Sequence, residues 1–297
     1  MNAIAPQLDS AIRYDESMSR HTSWRVGGPA DVFFTPQSQE QLIGFLREQS
    51  SSTPLTWIGL GSNLLVRDRG IRGVVIAITP ALGGFEASED GVITVGAGLA
   101  CTVLARKAVR LGLGPAEFFA GIPGTIGGAL SMNAGAFHGE TWNNVETVDV
   151  VDRSGKVTTR NRDEYEVAYR HIVAPVTDEW FIAARFHFAV DTDTSMSRLT
   201  ALIQERRDKQ PLGLPSCGSV FRNPEGDHAA RLIEACGLKG FRIGGAEVSP
   251  KHANFIINIG DATAADIETL IEHVRAEVES VHGILMQPEV RVVGETS

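Results

Sequence analysis

The sequence predicts a chain of mixed helices and strands folded into two or three domains, and three observations carry that reading. The first is length: 297 residues exceed one ordinary domain and suffice to bury a sizeable core. The second is the presence of two hydrophobic periods. Trp180, Ile182, Ala184, Phe186 and Phe188 recur at every second position, as on a strand, whereas Ile267, Leu270, Ile271, Val274, Val278 and Val281 share one face of a helix. The third is a pair of glycine-rich turns, Gly59-Leu60-Gly61-Ser62-Asn63 and the uncharged stretch 121–136.

Composition narrows the function. A formal net charge of −9 argues against general affinity for nucleic acid. No apolar run reaches the length of a membrane span, and the amino terminus lacks a signal pattern, so a cytoplasmic protein is expected. The three cysteines, Cys101, Cys217 and Cys236, are odd in number and lack C-x-x-C spacing, as suits reduced thiols rather than disulfides or zinc. The histidines are scattered, and no metal site is expected.

In chain order, residues 1–20 are polar and predict a loose arm. Residues 22–31 predict a short strand running into a turn. Ser38 is placed to cap a helix bearing Leu42, Ile43, Phe45 and Leu46. Strands are expected at 56–60, near 74–78 and at 92–95, with a helix over 100–112. Segments 145–152 and 156–159 predict a hairpin across Arg153-Ser154-Gly155, whereas 166–171 is polar and irregular. The polar run 191–195 predicts a linker, followed by a helix with the basic end Arg206-Arg207-Asp208-Lys209. A short helix over 228–236 stops at Gly237. Thr263 and Asp266 form an acidic variant of the capping box for the longest helix, which Gly283 ends, and 287–293 reads as a last strand.

The two glycine turns carry the functional reading. Glycines let the backbone bend where a Cβ would clash and bring N–H groups against a ligand. Successive N–H groups in such turns make a concave site for a diphosphate. The competing readings are a tightly packed core turn for 121–136 and an ordinary hairpin turn for 59–63. A Rossmann assignment fails because Leu64 stands where the third glycine belongs and a strand follows where a helix is needed.

Taken together, seven segments resemble the UDP-N-acetylenolpyruvoylglucosamine reductase family. They are Arg25-Val26-Gly27-Gly28-Pro29-Ala30-Asp31, Gly59-Leu60-Gly61-Ser62-Asn63-Leu64-Leu65, the 121–136 stretch, Tyr169-Arg170, Gly218-Ser219-Val220-Phe221-Arg222-Asn223-Pro224, Val248-Ser249-Pro250-Lys251-His252-Ala253-Asn254-Phe255 and Pro288-Glu289-Val290-Arg291. The resemblance runs from Thr22 to Val293 in the family's order.

That resemblance implies an α+β fold of three domains. Residues 1–75 and 285–297 would form one FAD-binding subdomain and 76–192 a second, together a unit of the vanillyl-alcohol-oxidase type. Residues 193–284 would form the substrate-binding domain. Non-covalent FAD and the co-substrate NADPH are implied, with a small UDP-sugar as the other partner and a monomeric enzyme. The absence of a tyrosine-rich insertion over 190–215 resembles the shorter subtype. By residue match, Gly59, Gly61, Ser62, Asn63, Gly121, Pro123, Gly124, Thr125, Gly127 and Gly128 would line FAD. Arg170, Ser219 and Glu289 match the catalytic residues, and Lys209, Arg222 and Asn223 are candidates for the substrate diphosphate. Two positions depart from the pattern: Arg222, where many members carry lysine, and Ile172, where serine is frequent.

The implied reaction reduces CH2=C(OR)–COO⁻. Hydride adds to the terminal CH2, pushing charge into the carboxylate, and a proton then completes the lactyl ether. Arg170 suits the carboxylate because its guanidinium is a fixed fork of donors. Glu289 in its acid form would donate another hydrogen bond, and Ser219 would deliver the proton. Each residue has a structural competitor: Ser219 bonding its own turn, Arg170 in a surface ion pair, Glu289 on an exposed edge. Two rival functions remain, an oxidase of the same flavoprotein superfamily and a nucleotide-binding regulator without turnover.

Overall fold

The computed structural model describes residues 10–296. The chain divides into two units, one of Met1–Arg13, Val32–Gly59 and Gly73–Glu205, the other of Tyr14–Asp31, Leu60–Arg72 and Arg206–Ser297.

The first unit is organised on the strand Glu179–His187. It lies mid-sheet because alternate side chains Ile182, Ala184 and Phe186 are buried. The antiparallel sheet runs Val157–Asn161, Val145–Asp152, Glu179–His187, Val92–Gly96, Phe85–Ala87. The helices Cys101–Arg110 and Ile126–Met132 share one apolar core with it. In that core Phe119 meets Phe186 edge-on, with ring centroids 5.4 Å apart. The hairpin expected across Arg153-Ser154-Gly155 is present.

A second sheet has the order Ile12–Ser17, Pro29–Phe34, Ile71–Ala77, Leu55–Ile58. Against it packs the helix Gln39–Glu48, with Phe34 and Phe45 stacked at 3.9 Å. Ser38 caps that helix, its side chain accepting from the Gln41 N–H.

In the second unit the helix Ala264–His282 buries Ile267, Leu270, Ile271, Val274 and Val278 in a core shared with the three strands Arg242–Ile243, Ala246–Val248 and Ile256–Asn258. The capping box is complete: the Thr263 hydroxyl accepts from the Asp266 N–H while the Asp266 carboxylate accepts from the Thr263 N–H. Val281 departs from the expected face and is 58% exposed, near the helix end. Trp24 is fully buried here, its indole N–H donating to the Ile256 carbonyl at 2.7 Å. The strand Arg291–Val293 pairs in parallel with Leu64–Val66.

Four expectations are corrected. The predicted loose arm falls partly on residues 1–9, which lie outside the described residues, but 12–17 form a strand despite their polarity. Pairing in the sheet, such as the Thr35 N–H on the Ala11 carbonyl, overrides local composition. The strand expected in 22–31 begins only at Pro29. The irregular 166–171 segment belongs to a hairpin, Glu166–Ala168 against His171–Val173, turning at Tyr169-Arg170. The 191–195 run is held in place rather than loose. The Thr194 hydroxyl donates to the buried Glu117 carboxylate at 2.6 Å and the Asp191 N–H donates to the Gly112 carbonyl.

Candidate active site

The turn at 59–63 is no hairpin. The strand before it, Leu55–Ile58, pairs in parallel with Ile71–Ala77, and the strand after it, Leu64–Val66, pairs with the carboxy-terminal strand. Gly61 is buried at φ +61°, and a Cβ there would lie 1.9 Å from the His21 carbonyl oxygen, so only glycine fits. Among the described residues, no acceptor meets the backbone N–H groups of Gly61 and Ser62. Gly61 is buried and Ser62 half-buried, and successive N–H groups left open in such a turn form a concavity that takes water or an anion. These residues therefore fit a diphosphate. The Asn63 carboxamide points the other way: it donates to the Glu289 carbonyl at 3.0 Å and accepts from the Cys217 thiol at 3.7 Å.

The second turn departs from the expected anion nest. The N–H groups of Gly124, Ile126 and Gly127 are donated to the carbonyls of Ile122, Leu99 and Ala97, and that of Gly128 to the Thr125 hydroxyl. The reason is the helix Ile126–Met132, whose first turn is capped by Thr125. Gly121 and Gly127 answer to close packing. A Cβ at Gly121 would lie 2.4 Å from the Ala136 Cβ, and one at Gly127 3.1 Å from the Ala97 Cβ. What this turn offers outward is bare backbone at Pro123 and Gly128, both exposed, and half-buried Gly124. Within the first unit, Gly59 has no room for a Cβ against the Thr125 side chain.

Arg170 sits at the tip of the Glu166–Ala168/His171–Val173 hairpin with φ +54°. Its guanidinium donates to the Gly135 carbonyl at 2.8 Å and the Asn133 carbonyl at 3.4 Å, and lies 5.0 Å from the Tyr169 ring centre. Two backbone carbonyls within the 121–136 stretch thus receive the guanidinium fork.

In the second unit, Ser219 and Glu289 lie on adjacent segments. The Glu289 N–H donates to the Val220 carbonyl at 2.7 Å and the Arg222 N–H to the Gln287 carbonyl at 2.9 Å. Asn254 clamps this pairing, since its carboxamide accepts from the Phe221 N–H and donates to the Phe221 carbonyl. Among the described residues the half-buried Ser219 hydroxyl has no hydrogen-bond partner, so the self-bonded turn has no bond to rest on. Glu289 is half-buried rather than on an exposed edge.

Of the diphosphate candidates, Arg222 has a buried Nε with no hydrogen-bond partner. Asn223 is exposed, and its carboxamide oxygen accepts from the Ala229 N–H at 3.1 Å, at the start of the helix Ala229–Ala235. Lys209 is exposed at the end of the helix Met196–Lys209.

Sequence reasoning passed over three residues. Cys217 and Asn254 carry no local signal, because their partners are remote in sequence. Asn133 did carry one: an asparagine closing a short helix of small residues marks a left-handed cap, and its φ is +47°.

The cysteines yield a direct check. Burial pushes the Cys217 thiol well above its usual range, with Glu289, when ionised, adding to the shift, and burial likewise raises Cys101. In the native protein at pH 8 to 9, a disulfide reagent is expected to modify half-buried Cys236 first, and to reach Cys101 and Cys217 only on unfolding. Fast labelling of Cys217, read by peptide mass, would contradict the buried placement.

Comparison with known proteins identifies the family. An FAD binding domain matches residues 30–160 and the UDP-N-acetylenolpyruvoylglucosamine reductase carboxy-terminal domain matches 210–293. The fold is thus that of an FAD-containing oxidoreductase. The protein named UDP-N-acetylenolpyruvoylglucosamine reductase in Alkalilimnicola ehrlichii is 53% identical over 285 residues, covering 96% of this chain and 95% of that protein. Its counterpart in Methylococcus capsulatus is also 53% identical, over 94% of this chain and 92% of that one. The crystal structure of UDP-N-acetylenolpyruvylglucosamine reductase from Thermus caldophilus matches with a TM-score of 0.79 at 32% identity, over 95% of this chain and 99% of that one. The chain belongs to the UDP-N-acetylenolpyruvoylglucosamine reductase family.

The flavin fit makes one prediction. Valine at Gly61 would displace the turn from the His21 carbonyl and carry the Gly61 and Ser62 N–H groups with it. Gly61→Val is expected to purify colourless with an unchanged far-ultraviolet dichroism spectrum. Stoichiometric flavin in that variant would remove the diphosphate role of the turn.

Proposed function

We propose that the chain carries out the reaction for which its family is named, the NADPH-dependent reduction of the enolpyruvyl ether of UDP-N-acetylglucosamine to UDP-N-acetylmuramate for peptidoglycan. The observation that carries the proposal is the pair of undonated N–H groups at Gly61 and Ser62 in a chain whose family membership is shown. Gly59, Gly61, Ser62 and Asn63 would hold FAD on one side, with Gly121, Pro123, Gly124, Thr125, Gly127 and Gly128 on the other. When bound, the flavin supplies hydride transfer from NADPH to the terminal carbon of the substrate double bond.

The chain's own residues do the rest. Arg170 grips the carboxylate into which charge is driven; its orientation by the Asn133 and Gly135 carbonyls sets the fork before substrate arrives. Glu289 in its acid form donates to the same carboxylate. The Ser219 hydroxyl delivers its proton to the carbon bearing the ether oxygen, a role for which its lack of a competing bond leaves it available. Serine is a weak acid, so closeness and polarisation must supply the advantage. Arg222, Lys209 and Asn223 would meet the substrate diphosphate, and the unpartnered Arg222 Nε favours that residue most.

The family's three-domain partition, 1–75 with 285–297, 76–192 and 193–284, is part of this proposal. Return of the strand Arg291–Val293 to Leu64–Val66 supports the discontinuous first domain. No helix among the described residues is long and apolar enough to cross a membrane. A monomer working in the cytoplasm completes the reading.

The test is anaerobic. The purified yellow protein is expected to bleach with NADPH and regain its colour when the enolpyruvyl sugar is added without oxygen. Colour that returns only with oxygen would indicate an oxidase, and a colourless protein would favour the regulator.

A further inference from the structure

Asn133 is a fully buried polar residue whose side chain reaches the hairpin that carries Arg170 and whose main-chain carbonyl meets the Arg170 guanidinium. It is 0% exposed and caps the helix Ile126–Met132 in the left-handed conformation. Its carboxamide nitrogen donates to the Glu140 carboxylate at 2.9 Å and to the Ala168 carbonyl at 3.1 Å, while its oxygen accepts from the Trp142 N–H at 3.1 Å. Its backbone carbonyl receives the Arg170 guanidinium at 3.4 Å, and two residues on, the Gly135 carbonyl receives it at 2.8 Å.

Geometry explains why this matters. Arg170 lies at the tip of a hairpin of two three-residue strands. Val167 and Ile172 pack the hairpin on the core, but two three-residue strands give its tip little rigidity of their own, so other contacts must hold the side chain there. The bond from the Asn133 carboxamide to Ala168 ties down the last residue of the first strand, two residues before Arg170. The carbonyls at 133 and 135 both receive the guanidinium. The same residue therefore anchors both the backbone and the head group of Arg170. Gly135 adds to the fit: a Cβ there would lie 2.4 Å from the Gly139 carbonyl and 3.1 Å from the Arg170 Nη1.

We infer that Asn133, braced by Glu140, is a positioning residue for Arg170, acting on the reduction of the enolpyruvyl sugar through that arginine alone. The inference rests on the reading of Arg170 proposed above. Asn133→Asp tests it because aspartate keeps the shape, accepts the left-handed conformation and still receives the Trp142 N–H. It replaces the donor with an acceptor facing the Glu140 carboxylate and the Ala168 carbonyl. Like charges and unpaired acceptors at that spacing push the hairpin away. A displacement of about 1 Å costs up to ~100-fold when it misplaces a reacting group.

The experiment is a double-mutant cycle on the flavin-loaded enzyme, with Asn133→Asp, Arg170→Lys and the pair. Two rates are followed anaerobically: bleaching by NADPH and colour return with the enolpyruvyl sugar. Asn133→Asp is expected to slow colour return about 10-fold or more and leave bleaching within about twofold. In the Arg170→Lys background the same substitution is expected to cost nothing further, since the group it positions is gone. Asn133→Gly, which keeps the left-handed backbone and its carbonyl, covers the case in which the aspartate variant fails to fold, and is expected to show the same non-additivity. Glu140→Gln added to Asn133→Asp restores one donor and is expected to recover part of the rate.

Additive losses in the cycle, or equal slowing of both half-reactions, would make Asn133 structural only and overturn the inference. If Arg170→Lys itself turns over normally, the role assigned to Arg170 fails instead, which the single variant reveals without reference to Asn133.

Discussion

Ser219→Ala is expected to bleach with NADPH at the rate of the unaltered protein and to stall when the enolpyruvyl sugar is added. The half-buried Ser219 hydroxyl has no hydrogen-bond partner among the described residues, so its removal breaks no internal bond. Nor does it touch the Gly61-Ser62 turn proposed for the flavin diphosphate. What disappears is the proton source for the carbon bearing the ether oxygen, and without it the added hydride returns. A general acid contributes on the order of 10²–10⁴ in rate, and a loss in that range is expected in turnover rather than in apparent substrate affinity. Ser219→Cys restores a donor with a reference pKa of ~8.5 and is expected to recover part of the rate. Slowed bleaching with colour return unaffected would make Ser219 a turn residue and remove the proton-donor role.

The second large effect is expected at Arg170. Arg170→Lys keeps the positive charge but loses the planar fork that reaches the Asn133 and Gly135 carbonyls together. A lysine ammonium on a flexible stem holds neither that orientation nor two parallel bonds to a carboxylate. Turnover is expected to fall at least ~100-fold, comparable to loss of a donor that stabilises developing negative charge. Bleaching by NADPH is expected to change little. Near-normal turnover in this variant would assign the arginine to holding the 133–135 segment rather than to the substrate.

Much of the fold, and the conformation of the Gly61 turn in the candidate site, was legible in the sequence because the signals are local. Gly61 needs a left-handed backbone and stands in a recognisable turn, the Thr263 box marks its own helix, and the alternation around Ile182 and Phe186 announces a central strand. The parts that escaped depend on partners far along the chain. The polar strand Ile12–Ser17 forms because Pro29–Phe34 lies beside it. The 191–195 run is fixed by Glu117, 77 residues before its partner Thr194. The second glycine turn resembled the first in composition, yet its N–H groups close on Leu99, Ala97 and Thr125. Composition marks where a backbone comes close to something; which atoms it meets is decided by packing.

The central claim is that Arg170, Ser219 and Glu289 serve the sugar half of the cycle and not the NADPH half. Anaerobic stopped-flow absorbance on Arg170→Lys, Ser219→Ala and Glu289→Ala, each loaded with flavin, tests it most directly. Bleaching by NADPH is expected to stay within about twofold of the unaltered protein in all three. Colour return with the enolpyruvyl sugar is expected to fall by ~100-fold or more in each. Equal slowing of both steps, or colour return at the normal rate, would contradict the assignment of these three residues.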